Sequence, residues 1–244
     1  MKSRLHSLAL ALGLALSAGF LQTGCNDFAH AMKPADKVQH FQRPLVISLI
    51  GKDLSIQRAG ITIFEQKSDK VPVPEWRIDE MVENLTAERL RKAGITARTA
   101  TPALRETARS KTWSKMLAGT SDLNYSGFVR DNPGLLGGAD SVVLIEPHAG
   151  KAAQLAAQSR PPGLLYLSFS DSATFMGTVR VFNYSAPSGR MLSWAHGNDS
   201  GNDTAKLHFT SWKEATPAQR EEIHSRIVAA MQKSLQEALG RAGL

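Results

Sequence analysis

Hydrophobic and polar positions divide the chain into an apolar leader, a polar stretch, and a longer region in which strand and helix patterns follow one another. The leader is an uncharged run over residues 8–21, rich in Leu and Ala, that follows the basic residues Lys2 and Arg4. A basic start followed by a short apolar core is typical of an export signal. At about 14 residues this run rises only about 21 Å as a helix, too short to span a bilayer core comfortably. The sequence therefore predicts a signal peptide over residues 1–24.

Residues 25–43 are polar, contain Pro34 and show neither helical nor strand periodicity. Such a segment is typical of a tether between an anchor and a folded body. We therefore expect the folded part to begin near Pro44 and to run over residues 44–244 as a single domain.

Short runs of β-branched and apolar residues, bounded by Gly and Pro, predict strands in this domain. They cover residues 45–50, 61–64, 95–100, 141–146, 164–169, 174–184 and 190–194. The first two are expected to form a hairpin. The last two are expected to form another, because the connection between them ends in Ser188-Gly189.

Helical spacing of apolar residues predicts an amphipathic helix that starts near Ile78 and stops before Gly94, and a second helix over residues 101–117. A long terminal helix is expected after Thr216, which starts a capping box with Gln219, and before Gly240. The apolar stripe of this helix must be buried against another element. The sequence therefore predicts the α/β (α+β) class, with a single mixed β-sheet and helices packed on it.

Composition narrows the choice of function. The formal charge is +7, and loss of Lys2 and Arg4 with the signal leaves an excess of five positive charges. The basic residues are not clustered, which argues against a nucleic-acid binder, although the excess suits a protein near anionic lipid or cell-wall polymer. Cys25 is the only cysteine, so no intramolecular disulfide can form.

The segment 21–25, Leu-Gln-Thr-Gly-Cys, resembles the lipobox of bacterial lipoproteins, with Gln22 where that family usually has Leu. The resemblance implies that Cys25 is lipidated on sulfur and becomes the amino terminus. Because Asn26 replaces the Asp that retains lipoproteins in the inner membrane, it also implies the outer membrane. The alternative is cleavage after Ala29-His30-Ala31, which leaves a soluble periplasmic protein that starts at Met32.

The order of elements is similar to the α/β domain of the TolB amino-terminal and curli-secretion lipoprotein families. The matching pieces are Gly138-Ala139-Asp140 before a strand, the hairpin turn at Ser188-Gly189, and the terminal helix. The resemblance implies a role in envelope assembly, pore formation or partner activation.

Candidate chemistry is sparse. Glu146 and His148 place a carboxylate and an imidazole just beyond a strand, which makes them weak catalytic candidates, and a polar loop rim is the alternative. The other histidines lack metal-ligand spacing and the glycines lack a phosphate-binding pattern, so we expect neither metal nor cofactor.

The leading hypothesis is a non-enzymatic envelope lipoprotein that binds an envelope protein or cell-wall component through a sheet edge or the terminal helix. The second is a periplasmic small-molecule or glycan-binding protein. The third is a hydrolase that uses Glu146, His148 and a serine. The oligomeric state is left open.

Overall fold

The computed structural model describes residues 29–60, 67–113, 125–148, 162–197 and 203–244. The strands within these residues are β1 (Ala29–His30), β2 (Pro44–Ser48), β3 (Asp53–Ala59), β4 (Lys67–Pro72), β5 (Arg98–Thr99), β6 (Ser141–Pro147), β7 (Gly163–Leu167), β8 (Ser172–Met176), β9 (Val179–Ser185), β10 (Met191–His196) and β11 (Asp203–Lys206). The α-helices are α1 (Pro34–His40), α2 (Ile78–Lys92), α3 (Pro102–Trp113), α4 (Tyr125–Asp131) and α5 (Pro217–Arg241). Short 3-10 turns at Pro74–Trp76 and Pro133–Leu136 complete the described elements.

The strands form two mixed sheets. The six-stranded sheet has the order β1-β10-β9-β6-β2-β5, and the five-stranded sheet has the order β11-β8-β7-β3-β4. In the first, β2 lies parallel to both β6 and β5, and the β9–β10 hairpin extends it. In the second, β3 lies parallel to β7, and the other pairs are antiparallel.

The central strands of the six-stranded sheet are buried on both faces, as expected for parallel strands. Successive residues of β2 and β6 alternate between two hydrophobic clusters. Val46 and Val143 face the cluster that contains α2 and α5, whereas Leu45 and Leu144 face the cluster that contains α4.

Helix α5 joins the two sheets because it contacts β8 and β11 of one and β9 and β10 of the other. It begins with the predicted capping box, in which Thr216 accepts from the Gln219 backbone and the Gln219 side chain accepts in return. Its backbone lies close to two glycines of the sheets. A Cβ on Gly177 would lie 2.4 Å from the Met231 nitrogen, and one on Gly197 would lie 2.0 Å from Ser234 Oγ.

The α+β class and the long terminal helix are confirmed, and so are helix α2 and the β9–β10 hairpin. The single sheet is corrected to two. Residues 174–184, expected as one strand, divide at Gly177-Thr178 into β8 and β9, which belong to different sheets. Strand β3 was not predicted, and it pairs with β4 and β7. The expected first hairpin involves residues 61–64, which lie outside the described residues.

The described part of the expected tether is packed against the fold. Strand β1 pairs with β10, and the Met32 backbone nitrogen donates to the carbonyl of Ala242 at 3.0 Å. The side chains of Met32 and Phe41 are buried. The contacts of these residues show that the described segment from Ala29 to Arg43 packs against the body that was predicted to begin near Pro44.

Candidate functional site

Glu146 and His148, the two weak catalytic candidates, lie at and just beyond the end of β6. The Glu146 carboxylate is buried and accepts a hydrogen bond from the Tyr125 hydroxyl at the start of α4. Arg180 of β9, opposite Glu146 in the strand register, places Nε 3.4 Å from Glu146 Oε1. The same guanidinium donates through Nη2 to His148 Nδ1 at 3.0 Å. Arg180 therefore lies between the two predicted catalytic residues.

The electrostatics of this cluster keep His148 neutral. Burial, with help from Arg180 and His196, lowers the pKa of His148 from 6.5 to about 4. The rings of His148 and His196 are stacked, with centroids 4.4 Å apart. Burial and the Glu146 charge raise the pKa of Tyr125, so its hydroxyl keeps its proton and donates.

Among the described residues, the cluster lacks the serine contact that the hydrolase hypothesis requires. A hydrolase of that kind needs an imidazole free to accept a proton from a serine. Here His148 Nδ1 already accepts from Arg180, and among the described residues no serine hydroxyl bonds to this ring. The described contacts form a chain from Tyr125 through Glu146 and Arg180 to His148, which joins α4, β6 and β9.

A second polar cluster, which the sequence analysis missed, links α2 and α3 to the end of β2. Glu83 Oε1 accepts from the Ser48 nitrogen at 2.9 Å and lies 3.0 Å from Arg105 Nε. Asp79 Oδ1 accepts from Ser48 Oγ at 2.7 Å, and its other oxygen contacts Arg109. The spacing of these charges could have predicted the cluster. The two acids are four residues apart on α2, and the two arginines are four residues apart on α3, so each pair shares one helix face.

Burial disfavours the ionised form of the Glu83 carboxyl group. Its side chain is 1% exposed, and its second oxygen, Oε2, has no hydrogen-bond partner within the described ranges. Burial raises the pKa of Glu83 from 4.5 to about 7, although Arg105 and the Ser48 amide act in the other direction. This carboxyl therefore titrates near neutral pH, at the contact that positions α3.

A half-open groove of about 370 Å³ lies between α2 and α5. Its floor is apolar and its rim is polar. The residues that line it are Leu85, Glu88, Arg89, Lys92, Gln232, Leu235, Gln236 and Leu239. Cavities of this size and composition accept small ligands or the side chains of a partner.

Other expectations have mixed outcomes. Cys25 and the signal peptide lie outside the described residues. Within the described residues, no group of three histidine, cysteine or acidic side chains is placed to hold a metal ion. In the same part of the chain, no helix combines the length and apolarity needed to cross a membrane. The apolar stripe of α5 is buried in the fold, and Leu235 and Leu239 of this stripe also line the groove, so docking on the terminal helix is restricted to that groove.

Comparison with known proteins yields only distant structural likenesses. No family model and no curated protein matches the chain. The PelC dodecamer from Paraburkholderia phytofirmans is 13% identical, with a TM-score of 0.31 over 84% of this chain and 94% of that one. Lipoprotein GNA1162 from Neisseria meningitidis is 12% identical, with a TM-score of 0.30 over 79% of this chain and 99% of that one. Protein XCC0632 from Xanthomonas campestris is 10% identical, with a TM-score of 0.28 over 84% of this chain and 86% of that one. At such scores these likenesses carry no argument about the activity of this chain.

Proposed function

We propose that the chain is a lipid-anchored envelope protein without enzymatic activity, and that it binds another envelope component. The anchor is Cys25, and the absence of Asp after it favours the outer membrane, with the domain facing the periplasm. The partner is an envelope protein or a cell-wall component.

The position of β1 is the observation that carries the choice of anchor. Cleavage after Ala31 would remove β1 from the six-stranded sheet. It would also turn the Met32 nitrogen into a charged amino terminus, where that nitrogen now donates to Ala242 beside a buried side chain. Processing before Cys25 retains β1 and keeps this nitrogen an uncharged amide. The retained strand favours the lipobox over the rival cleavage site.

Two features favour binding over catalysis. Arg180 occupies the space between Glu146 and His148, so the pair lacks the mutual contact that acid–base catalysis would use. The groove between α2 and α5 instead offers an apolar floor under a polar rim, which suits side chains of a protein partner.

Small-molecule or glycan binding is the second candidate. The volume of the groove, about 370 Å³, falls within the usual range of ligand pockets and favours this reading. The two candidates differ in one respect: a protein partner covers the rim residues on the surface, whereas a small ligand contacts chiefly the floor.

The intact mass of the protein extracted from bacterial membranes tests the anchor. We expect a chain that starts at Cys25 and carries three acyl groups, and we expect Cys25→Ser to remain unacylated. A mature chain that starts at Met32 would refute the lipoprotein proposal.

Photocrosslinking in cells tests the groove. A photoreactive residue at Gln236, exposed on the rim, should crosslink to one discrete envelope component. The same residue at Ser225, exposed on α5 outside the groove, is the matched control. Equal crosslinking at the two positions, or none at Gln236, would refute the groove as the partner site.

A further inference from the structure

The length of chain between the anchor and the fold limits how the domain sits on its membrane. Cys25 lies four residues before Ala29, and Ala29 is fixed in the six-stranded sheet by its pairing with Ala195. Four residues span at most about 14 Å even when fully extended. If Cys25 is lipidated, the β1 edge therefore lies within that distance of the lipid surface.

The residues beside β1 have the chemistry of a membrane-facing surface. His30 pairs with Trp194 of β10, and Met191 at the start of that strand is 42% exposed. On α1, Val38 is 73% exposed. Lys33, which precedes α1, is exposed. We call these five residues, His30, Lys33, Val38, Met191 and Trp194, the anchor-side patch.

The apolar side chains of the patch and its basic residue both suit a bilayer interface. Partly exposed Trp and exposed aliphatic side chains favour the headgroup boundary, where one end of the side chain is apolar and the other is wet. Lys33 adds attraction to anionic headgroups. The acid on α1, Asp36, is already paired with Arg190 at 2.7 Å, so it does not oppose that attraction.

The amino-terminal half of α5 contacts the five-stranded sheet, at the end of the helix axis that is distant from this patch. Arg226 contacts Asp203 of β11 and stacks over Phe175 of β8, whereas Ala242 accepts from Met32 beside β1. The sixteen residues between these contacts correspond to about 24 Å of helix. Phe169, in the turn between β7 and β8, is 60% exposed. This turn lies near the start of α5, because Lys206 of β11 donates to the Ser170 carbonyl and Gln219 of α5 donates to the carbonyl of nearby His208.

From these observations we infer that the anchor-side patch faces anionic lipid headgroups and that the five-stranded sheet points away from the membrane. This inference rests on the proposed lipidation of Cys25. Because the acyl groups supply the affinity, the patch determines the orientation of the domain rather than whether it binds.

The test uses acylated protein from membranes, reconstituted in vesicles that contain phosphatidylglycerol. Acylation blocks Cys25, the only native cysteine, so Val38→Cys and Phe169→Cys each carry a single reactive thiol. Each is labelled with an environment-sensitive fluorophore, and nitroxide on the lipid headgroups serves as the quencher. We expect loss of fluorescence for the label at position 38 and no loss for the label at position 169.

Charge reversal adds an independent readout. Lys33→Glu changes the charge of the patch by two units, so it should disfavour the facing orientation about thirtyfold in anionic vesicles and leave neutral vesicles unaffected. Lys213→Glu makes the same change at an exposed site before α5 and should have no effect. Equal quenching at positions 38 and 169, or stronger quenching at 169, would overturn the inference while leaving the lipidation intact. An unacylated Cys25 in the mass spectrum would instead defeat the proposed function, and the inference with it.

Discussion

The close contact between α5 and the two sheets leaves less room for an added Cβ at Gly197 than at the other described glycines. A Cβ at this position would lie 2.0 Å from Ser234 Oγ and 2.4 Å from the Ser234 carbonyl oxygen. Ser234 cannot move aside easily, because it is fully buried and its Oγ accepts from the Val179 nitrogen at 3.0 Å. Gly197→Ala must therefore displace the helix backbone from the sheet.

Overpacking of this kind costs about 1–3 kcal/mol and more when backbone atoms are involved, so we expect a loss of about 3 kcal/mol. For a domain of this size that corresponds to a fall in Tm of about 6–12 °C. The φ of Gly197 is not in the left-handed region, so the cost comes from the contact and not from the backbone conformation.

Thermal unfolding followed by far-UV circular dichroism, in an otherwise identical Cys25→Ser chain, measures the effect. Gly240→Ala is the matched control, because this glycine lies in α5 and its nearest atom to an added Cβ is Arg89 Nη2 at 3.7 Å. Alanine in a helix interior is favoured over glycine by about 0.5–1 kcal/mol, so this control should be slightly stabilised. If Gly197→Ala unfolds within about 1 °C of the parent chain, the proposed role of the contact is refuted.

Three further predictions concern the anchor segment and the two polar clusters. A chain that starts at Met32 should be less stable than the Cys25→Ser chain by about 1–3 kcal/mol in urea unfolding, because it lacks β1 and has a charge at a buried amide position. An equal urea midpoint would remove the main support for the lipobox. Glu83→Gln should unfold at higher urea than the parent at pH 8 and not at pH 4.5, since the ionised form of Glu83 is the destabilised one. Parallel pH profiles would show that Glu83 does not titrate abnormally. Tyr125→Phe should cost about 1–2 kcal/mol in thermal unfolding, because it removes a donor from the buried Glu146 carboxylate. An unchanged Tm would mean that this hydrogen bond is not needed.

The elements that were predicted from the sequence are those whose ends are marked by capping or turn residues. Helix α5 starts at the predicted capping box of Thr216 and Gln219, and α2 ends before Gly94 as expected. The β9–β10 hairpin closes at Gly189, whose φ of 66° favours glycine in this turn. Each of these features depends on residues close together in the chain.

Tertiary partners were harder to predict. In β3, Ser55 and Gln57 are polar yet buried, so the strand does not show a hydrophobic alternation. The parallel pairing of β3 with β7 joins residues more than one hundred positions apart, which no local pattern encodes. The division into two sheets depends on the approach of α5 at Gly177, and a single glycine within an apolar run gives little sign of it.

The candidate site shows the same limit. Glu146 and His148 were expected from their place after a strand, but Arg180 joined them from a strand distant in the chain. The pairing of Asp79 and Glu83 with Arg105 and Arg109 was readable only as two charge spacings on separate helices. A sequence indicates which residues share a helix face, and the packing of helices decides which of those faces meet.

Glu83 and His148 have opposite effects on how the stability of the fold depends on pH. The raised pKa of Glu83 means that folding favours its protonated form, so stability falls as pH rises from about 4.5 to about 7. The lowered pKa of His148 means that folding favours its neutral form, so stability falls as pH drops from 6.5 to about 4. Between about pH 4.5 and 6.5 the two groups therefore give the pH profile slopes of opposite sign. The parent chain should therefore have a shallower stability profile over this range than Glu83→Gln, which should reveal the slope of His148. Urea unfolding at several pH values measures both profiles, and a parent chain as steep as the variant would show that the two groups do not compensate.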